Sequence, residues 1–323
     1  MRSLAAFVGP GAGLPVSQPA IASVVETDAR RAYAGLLLVV LVWGLNFPLI
    51  KVPLEVLHPF VVNLLRFAIS TLTLGLLWAN DARRRGESFT GVLRRRPVPI
   101  LLLGVVGHVC YQVLFILGIT RTAAGSAALI MASSPIWTAL LAWLSGVDRL
   151  RAGQAVGLAV SAAGVAAVVI GGGRSVEFGD AAIVGNVLTL AAAFAWALFT
   201  VFNRPLLTSG LAPMGVTFFG VAAALPVLGA LAVPHMGSTD WSLVGVAEWG
   251  AIAFSGALST GLAYALWNVA VRAVGPSRTS AFNNLVPFVA LATGYALLRE
   301  PITPIQLLGG ALIVGGLYVV RRR

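Results

Sequence analysis

The side chains of this 323-residue chain with the clearest capacity for chemistry are amides, aromatic rings and one arginine, all within long apolar stretches. An amide in apolar surroundings needs a partner, either on another helix or on a bound molecule. Aromatic walls with a few polar groups form pockets for small amphipathic molecules, so the pattern indicates binding. Taken singly, each residue also fits packing between helices. The candidate binding residues are Trp43, Asn46, Arg66, Tyr111, Trp196, Tyr264, Asn268 and Asn283.

Spacing along two of these stretches supports a shared surface. Tyr264 and Asn268 are four residues apart, which places them on one face of a helix. Trp43 and Phe47 have the same spacing, with Asn46 beside them. Each helix is therefore predicted to present an aromatic ring and an amide together.

Arg66 is the only cation well inside an apolar stretch. A charge at that depth is costly in a membrane and marks a functional site by default, so Arg66 could hold a substrate carboxylate. It could equally extend toward the nearer surface, because it lies only seven residues after Pro59.

The composition excludes an ordinary soluble globule. Of all residues 58% are hydrophobic and 10% are charged, where a soluble domain has roughly a quarter charged. The net charge of +11 comes from arginines that cluster at the ends of apolar stretches, which is typical of a protein in a lipid bilayer and predicts no nucleic-acid partner. One cysteine, Cys110, and three scattered histidines predict no disulfide, metal site or cofactor.

Ten stretches are long enough to cross a bilayer, which needs about 20 apolar residues per helix. The predicted fold is an all-α integral membrane protein with ten transmembrane helices. Residues 1–31 are predicted to be a cytosolic tail, because the apolar piece after Arg2 is too short for a signal peptide. The predicted spans are 32–51, 59–79, 98–118, 122–143, 152–171, 181–203, 212–233, 246–271, 275–297 and 303–320.

A long-range repeat organises these helices into two halves, 32–172 and 173–323. Pro135 and Pro287 are 152 residues apart (287 − 135), and the acid, glutamine and glycine positions that follow them repeat at the same distance. The first helices of the halves also correspond, because Trp43 and Trp196 are 153 residues apart (196 − 43). The repeated acid, glutamine and glycine pairs are Asp148 and Glu300, Gln154 and Gln306, Gly157 and Gly309, and Gly164 and Gly316.

The arginine and lysine distribution predicts that both termini are cytosolic. With that orientation the inside segments carry 17 basic residues and the outside segments carry 4. Because each half has five helices, an odd number, the two halves are predicted to be inverted relative to each other. Inverted halves with a site between them are typical of carriers that work by alternating access.

The repeated prolines and acids have predicted mechanical roles. Pro135 and Pro287 fall inside helices, where a proline removes a backbone hydrogen bond and permits a kink, so they are candidate hinges for gating. The alternative is that they only shape static packing. Asp148 and Glu300 are predicted to cap or orient the turns before the fifth and tenth helices.

At these residues the chain resembles the drug/metabolite transporter superfamily, in its EamA-like branch with two repeats of five helices. The resemblance spans about 32–320 and is carried by Trp43 to Phe47, Leu65 to Phe67, Ser126 to Ile130 with Pro135, and the ending from Pro287 to Gly316. Asp148 departs from the glutamate that the family most often has. The resemblance implies a bacterial inner-membrane carrier, not an enzyme, similar to exporters of amino acids, including aromatic ones, and other small metabolites.

The predicted function is therefore secondary transport of a small metabolite, most readily an amino acid, by efflux through alternating access. No Asp or Glu lies in mid-span, so proton coupling is not expected unless His108 provides it; a hydrogen-bonded histidine between helices is the alternative for that residue. A drug, nucleoside or sugar carrier, a lipid-processing membrane enzyme and a receptor are the competing functions. The protein is expected to act as a monomer or homodimer.

Overall fold

A computed structural model of the protein describes residues 18–145, 152–171 and 180–321, which form helices and no strands. The all-helical membrane fold predicted from the sequence is confirmed. Its ten principal helices are α1 (Gln18–Leu49), α2 (Pro59–Arg85), α3 (Pro97–Ile119), α4 (Ala124–Leu144), α5 (Ala152–Gly171), α6 (Asp180–Thr208), α7 (Pro213–Met236), α8 (Val246–Val274), α9 (Pro276–Leu298) and α10 (Pro304–Arg321).

Eight of these helices are long and apolar enough to span a membrane, while α5 and α10 contain the shorter apolar stretches Ala159–Val168 and Pro304–Gly316. Large apolar side chains such as Leu72, Leu76 and Val246 are exposed on the outside of the bundle, as expected where lipid is the solvent. Helix α1 begins at Gln18, inside the segment assigned to the tail. Residues 1–17 lie outside the described ranges, and the tail stays a prediction.

Helices α5 and α10 cross closely because glycines face each other. A Cβ atom on Gly164 would lie 2.7 Å from the carbonyl oxygen of Gly309, and one on Gly316 would lie 2.5 Å from that of Gly157. Residues that come later in α5 contact residues that come earlier in α10, so the two helices are antiparallel. At the crossing the Ser161 hydroxyl donates to the carbonyl of Ile313 at 3.0 Å, 152 residues away. Equivalent residues therefore meet.

The same antiparallel arrangement relates α2 and α7. Gly75 lies against the ring of Phe218, while Gly215 lies against Trp78. At one end of this pair the rings of His58 and His235 stack with centroids 3.5 Å apart. Contacts between equivalent helices running in opposite directions agree with inverted halves.

Helices α3 and α8 each contain a π-helical segment at equivalent positions. The segments are Val106–Cys110 and Phe254–Leu262, and adding 152 to 106 and 110 gives 258 and 262. π-Helical turns insert an extra residue into an α-helix and occur frequently at functional sites. Both segments contact the main buried apolar cluster, to which Val109 belongs and against which Phe254 packs.

Candidate functional site

A cavity lies between the two halves, and its empty space, counted together with the open solvent at its mouth, is about 490 Å³. Seven of the eight predicted binding residues line it, namely Trp43, Asn46, Arg66, Tyr111, Trp196, Tyr264 and Asn283. The other lining residues are Phe47, Gln112, Phe115, Ala128, Met131, Ala132, Ser259 and Val286. The chemistry of the wall is aromatic and amide, with one guanidinium.

The guanidinium of Arg66 is 1% exposed and is held by neutral oxygens. Nη1 donates to Asn63 Oδ1 at 3.0 Å and to Gln112 Oε1 at 3.4 Å, and Nη2 donates to Thr260 Oγ1 at 3.2 Å. Nε has no hydrogen-bond partner within the described parts of the chain. Because the side chain is held inside the bundle, the structure does not show the extension of Arg66 toward the surface that the sequence left open.

Gln112 connects the arginine to the other half of the molecule. Its side-chain nitrogen donates to the hydroxyl of Tyr264 at 2.6 Å, and its backbone carbonyl accepts from Asn63 Nδ2 at 3.1 Å. Gln112 is a polar residue in mid-span beside Tyr111, but it is not one of the eight binding residues predicted from the sequence. The repeat also points to it, since Gln112 and Tyr264 are 152 residues apart and each lies two residues after a π-helical segment.

Four aromatic side chains form one wall of the cavity and the layer behind it. The ring of Trp43 meets those of Trp196 at 5.5 Å, Tyr264 at 6.1 Å and Trp267 at 5.1 Å. The indole nitrogen of Trp43 donates to the carbonyl of Ser259 at 3.0 Å, which fixes this ring against α8. The repeat-related pair Trp43 and Trp196 thus makes direct contact across the interface between the halves.

Two asparagines complete the polar part of the wall. Asn46 is buried, and its Oδ1 has no hydrogen-bond partner among the described residues. Asn283 donates from Nδ2 to the hydroxyl of Ser134 at 2.8 Å, which connects α9 to α4 beside Pro135. Asn46 therefore keeps a buried acceptor without a partner in a residue that lines the cavity, while Asn283 also serves the packing between helices.

Asn268 does not line the cavity, although it lies one turn after Tyr264. Its Oδ1 accepts from Asn203 Nδ2 at 3.1 Å, and its Nδ2 donates to Thr217 Oγ1 at 2.7 Å. Asn268 is thus placed in a separate buried polar network that connects α8 to α6 and α7. The four-residue spacing could not reveal this difference, because Tyr264 lines the cavity whereas Asn268, on the same face of α8, contacts α6 and α7.

His108 is buried behind the cavity wall and lines no part of it. Its ring stacks on Tyr264 with centroids 5.2 Å apart and lies 4.9 Å from the ring of Phe199. Neither ring nitrogen has a hydrogen-bond partner among the described residues, so the hydrogen-bonded alternative does not match the structure.

Pro135 and Pro287 both lie at breaks in a membrane helix. Helix α4 is interrupted before Ser134, and Pro135 stands in the first turn of its second part, Ser134–Leu144. In α9 a 3₁₀ segment, Ala281–Leu285, precedes a second part, Val286–Leu298, and Pro287 stands in its first turn. A proline in a first turn removes no intrahelical bond, so the predicted kink is instead a helix restart. The gating role stays a prediction.

Glu300 connects the halves at one end of the bundle. Its carboxylate accepts from the backbone nitrogen of Ala124 at 2.9 Å and from Lys51 Nζ at 2.9 Å. It therefore caps the start of α4 in the other half, and not the turn before α10 as the sequence suggested. Asp148, its counterpart in the repeat, lies outside the described residues.

Comparison with known proteins agrees with this architecture. Residues 30–170 and 183–322 each match the EamA-like transporter family, so the family pattern occurs twice along the chain. A probable terminal-alkyne amino-acid exporter of Streptantibioticus cattleyicolor is 29% identical over 297 residues, covering 91% of this chain and 94% of the relative. A probable amino-acid metabolite efflux pump of Escherichia coli is 29% identical over 295 residues, covering 88% and 92%.

The uncharacterized transporter YyaM of Bacillus subtilis is 30% identical over 231 residues, covering 69% of this chain and 73% of the relative. One solved crystal structure, 19% identical, aligns with a TM-score of 0.65 over 91% of this chain and 97% of its own. That likeness shows the ten-helix fold alone. Because the family model matches most of the chain, in two parts, this protein belongs to the EamA-like transporter family.

Proposed function

We propose that this protein is a secondary transporter that exports amino acids across the inner membrane by alternating access. The observation that carries the proposal is the aromatic cavity with a buried guanidinium between two inverted halves. Trp43, Arg66 and Tyr111 come from the first half, and Trp196 and Tyr264 come from the second. A site shared by both halves changes its exposure when one half moves against the other.

The names of two relatives support the substrate and the direction. One is named as a probable exporter of a terminal-alkyne amino acid and the other as a probable amino-acid metabolite efflux pump. The cavity wall suits such molecules, because an amino acid carries a compact charged end and a side chain that aromatic rings can cover.

The proposed transport is facilitative and not proton-coupled. No Asp, Glu or His is among the described residues that line the cavity, whereas proton-coupled carriers usually keep such a group at the site. His108, one layer behind the wall, is the group to which coupling would be assigned if flux followed a pH gradient.

The proposed location is the inner membrane, with both termini in the cytosol. The 17-to-4 distribution of basic residues supports this orientation. Lys51, His58, His235 and Glu300 would then lie at the outer face.

Flux into proteoliposomes that contain the purified protein tests the proposal. A panel of radiolabelled amino acids is offered with and without an imposed pH gradient, and Arg66→Ala is compared with Arg85→Ala as a matched control. Arg85 lies at the surface in an i,i+4 pair with Asp81, so its loss should not change flux. We expect flux that ignores the gradient and that Arg66→Ala abolishes.

Absence of flux for every amino acid would overturn the proposed substrate and direct the search to nucleosides, sugars and drugs. Flux that rises with the pH gradient would overturn the facilitative mechanism alone. Equal flux through the Arg66→Ala and Arg85→Ala proteins would remove the cavity from the transport path.

A further inference from the structure

On the basis of the proposed transport function, we infer that the site selects amphipathic monocarboxylates and does not require the α-amino group. The substrate class would then include 2-oxo acids, N-acylated amino acids and simple aryl-alkanoic acids besides the amino acids themselves. The inference rests on how the donors, acceptors and charges of the cavity are distributed.

The donors of Arg66 are incompletely used. A guanidinium has five N–H donors, and three hydrogen bonds to neutral acceptors account for three of them. Nε–H has no hydrogen-bond partner among the described residues, and one hydrogen on Nη2 is also left. Nε and Nη2 lie along one edge of a guanidinium, which can donate to a carboxylate in bidentate geometry. These unused donors of a buried residue that lines the cavity fit a ligand carboxylate.

The charge of Arg66 is also uncompensated. Lys51 pairs with Glu300 and Arg85 pairs with Asp81, and among the described residues no carboxylate pairs with Arg66. A buried charge with no counter-charge is costly, so a bound carboxylate would stabilise the site through charge as well as hydrogen bonds. A ligand with an amine and no carboxylate would instead add a second positive charge beside the first.

For an ammonium group the cavity offers much less. No carboxylate side chain is among the described lining residues, and their acceptors are neutral, among them Asn46 Oδ1, which has no hydrogen-bond partner among the described residues. A neutral amide and the faces of Trp43 and Trp196 can tolerate an ammonium without making it a condition of binding. Carboxylate recognition is therefore specified by charge, whereas amine recognition is not.

The aromatic rings that line the cavity determine which apolar substituent of the ligand binds well. Trp43, Tyr111, Phe115, Trp196 and Tyr264 all line the cavity. Small hydrophilic acids would leave these rings uncovered, so affinity should rise with the apolar area of the substituent.

Three compounds with the same phenylethyl skeleton separate the two ends of the ligand: phenylalanine, 3-phenylpropionate and phenethylamine. Binding to the detergent-purified protein is followed by tryptophan fluorescence, because Trp43 and Trp196 line the cavity. We expect Kd values for phenylalanine and 3-phenylpropionate within about threefold of each other, and binding of phenethylamine weaker by about tenfold or more. N-Acetylphenylalanine should bind like 3-phenylpropionate.

Two variants assign the preference to Arg66. Arg66→Gln should bring the three Kd values together by weakening the two acids, while Arg85→Gln should leave the preference unchanged. Size-exclusion chromatography verifies folding, and Arg66→Lys, which keeps the charge, should retain part of the preference for acids if Arg66→Gln fails to fold.

Phenethylamine bound as tightly as phenylalanine, or 3-phenylpropionate bound tenfold more weakly than it, would overturn the inference. Flux of phenylalanine in proteoliposomes together with either result would leave the proposed function standing. If no compound of the panel bound and no amino acid were transported, the proposed function would fail together with the inference.

Discussion

At the scale of single residues, the arrangement around Arg66 separates structural support from ligand contact. Asn63, Gln112 and Thr260 supply oxygens that hold the guanidinium in place, and none of them carries a charge. They satisfy hydrogen bonds but do not neutralise the arginine. Substitution of Arg66 should therefore affect both the stability of the bundle and the binding of an anion. The balance between the two effects should depend on whether the new side chain keeps the positive charge.

Arg66→Ala leaves three buried acceptors without a donor, at a cost of about 1–3 kcal/mol for each group that finds no new partner. We expect a lower unfolding temperature in detergent and loss of transport. Arg66→Lys keeps the charge but not the planar fork, so we expect stability nearer to that of the parent and transport reduced by about tenfold or more. Normal transport by the Lys protein together with collapse of the Ala protein would make Arg66 purely structural.

Asn46 and Asn268 form a matched pair of buried amides with opposite expected effects. Asn46 Oδ1 has no hydrogen-bond partner in the part of the chain that the structure describes, so Asn46→Ala should leave stability unchanged within about 1 kcal/mol and impair transport. Asn268 joins Asn203 to Thr217, so Asn268→Ala should lower stability by about 1–3 kcal/mol and leave substrate affinity unchanged. Thermal unfolding and substrate titration of both proteins test the contrast; the reverse result would exchange their roles.

Residue type and helical depth were sufficient to predict most of the cavity wall but not which amides face it. Polar and aromatic groups in mid-span are the residues that the sequence predicts at the site, and Trp43, Asn46 and Tyr264 do line the cavity. Asn268 meets the same criteria yet faces another helix. The choice between two faces depends on tertiary packing, which helical periodicity alone does not contain.

At the scale of elements, the ends of the helices are held together across the two halves. Glu300 in the second half reaches the backbone at the start of α4 and the ammonium of Lys51, both in the first half. The sequence indicated an acid that caps a nearby turn, because spacing reveals local partners only. The actual partners are 176 and 249 residues away along the chain.

Glu300→Gln should lower the stability of the folded bundle by about 1–2 kcal/mol, since it removes the charge that both the helix start and Lys51 favour. Lys51→Met should cost less, because the backbone bonds of Glu300 persist. The double variant should be less destabilised than the sum of the two, since both remove the same ion pair. Full additivity in thermal unfolding would show that the two side chains act independently.

The stacked rings of His58 and His235 predict sensitivity to acid at the end of the α2 and α7 pair. Burial, and then the neighbouring His235, lower the pKa of His58 from its usual 6.5. The folded protein thus binds this proton less well than the unfolded chain does. Stability should be complete above about pH 6.5 and should fall as the pH drops below it toward the lowered value.

The measurement is the unfolding temperature in detergent between about pH 7.5 and about pH 5.5. His58→Asn provides the control, because an asparagine at this N-cap can still accept the Phe60 N–H and does not titrate. We expect the acid-induced decrease to be smaller in this variant. An identical decrease would assign the acid sensitivity to other groups.

At the scale of the whole molecule, equivalent helices of the two halves pack against each other in antiparallel orientation. Ser161 meets Ile313, and Gln112 meets Tyr264, each 152 residues away. Equivalent residues can meet in this way when the relating axis passes between them. The repeat in the sequence predicted the equivalence, but the crossings that place it at the cavity required the packed structure.

If the two halves are inverted, equivalent loops of the two halves must lie on opposite sides of the membrane. Ser88 follows α2 and Ser238 follows α7, its counterpart, and both side chains are exposed. In two parallel halves these serines would lie on the same side. In inverted halves they lie on opposite sides, with Ser238 near His235 at the end where Lys51 and Glu300 pair.

Cysteine labelling with a membrane-impermeant maleimide distinguishes these arrangements. In a Cys110→Ser background, which removes the single native cysteine, Ser238→Cys should react in intact right-side-out vesicles. Ser88→Cys should react only after permeabilisation, because the basic residues around it place it in the cytosol. Labelling of both from one side would contradict inverted halves, and labelling of Ser88→Cys alone would keep the inversion while reversing the orientation of the whole protein.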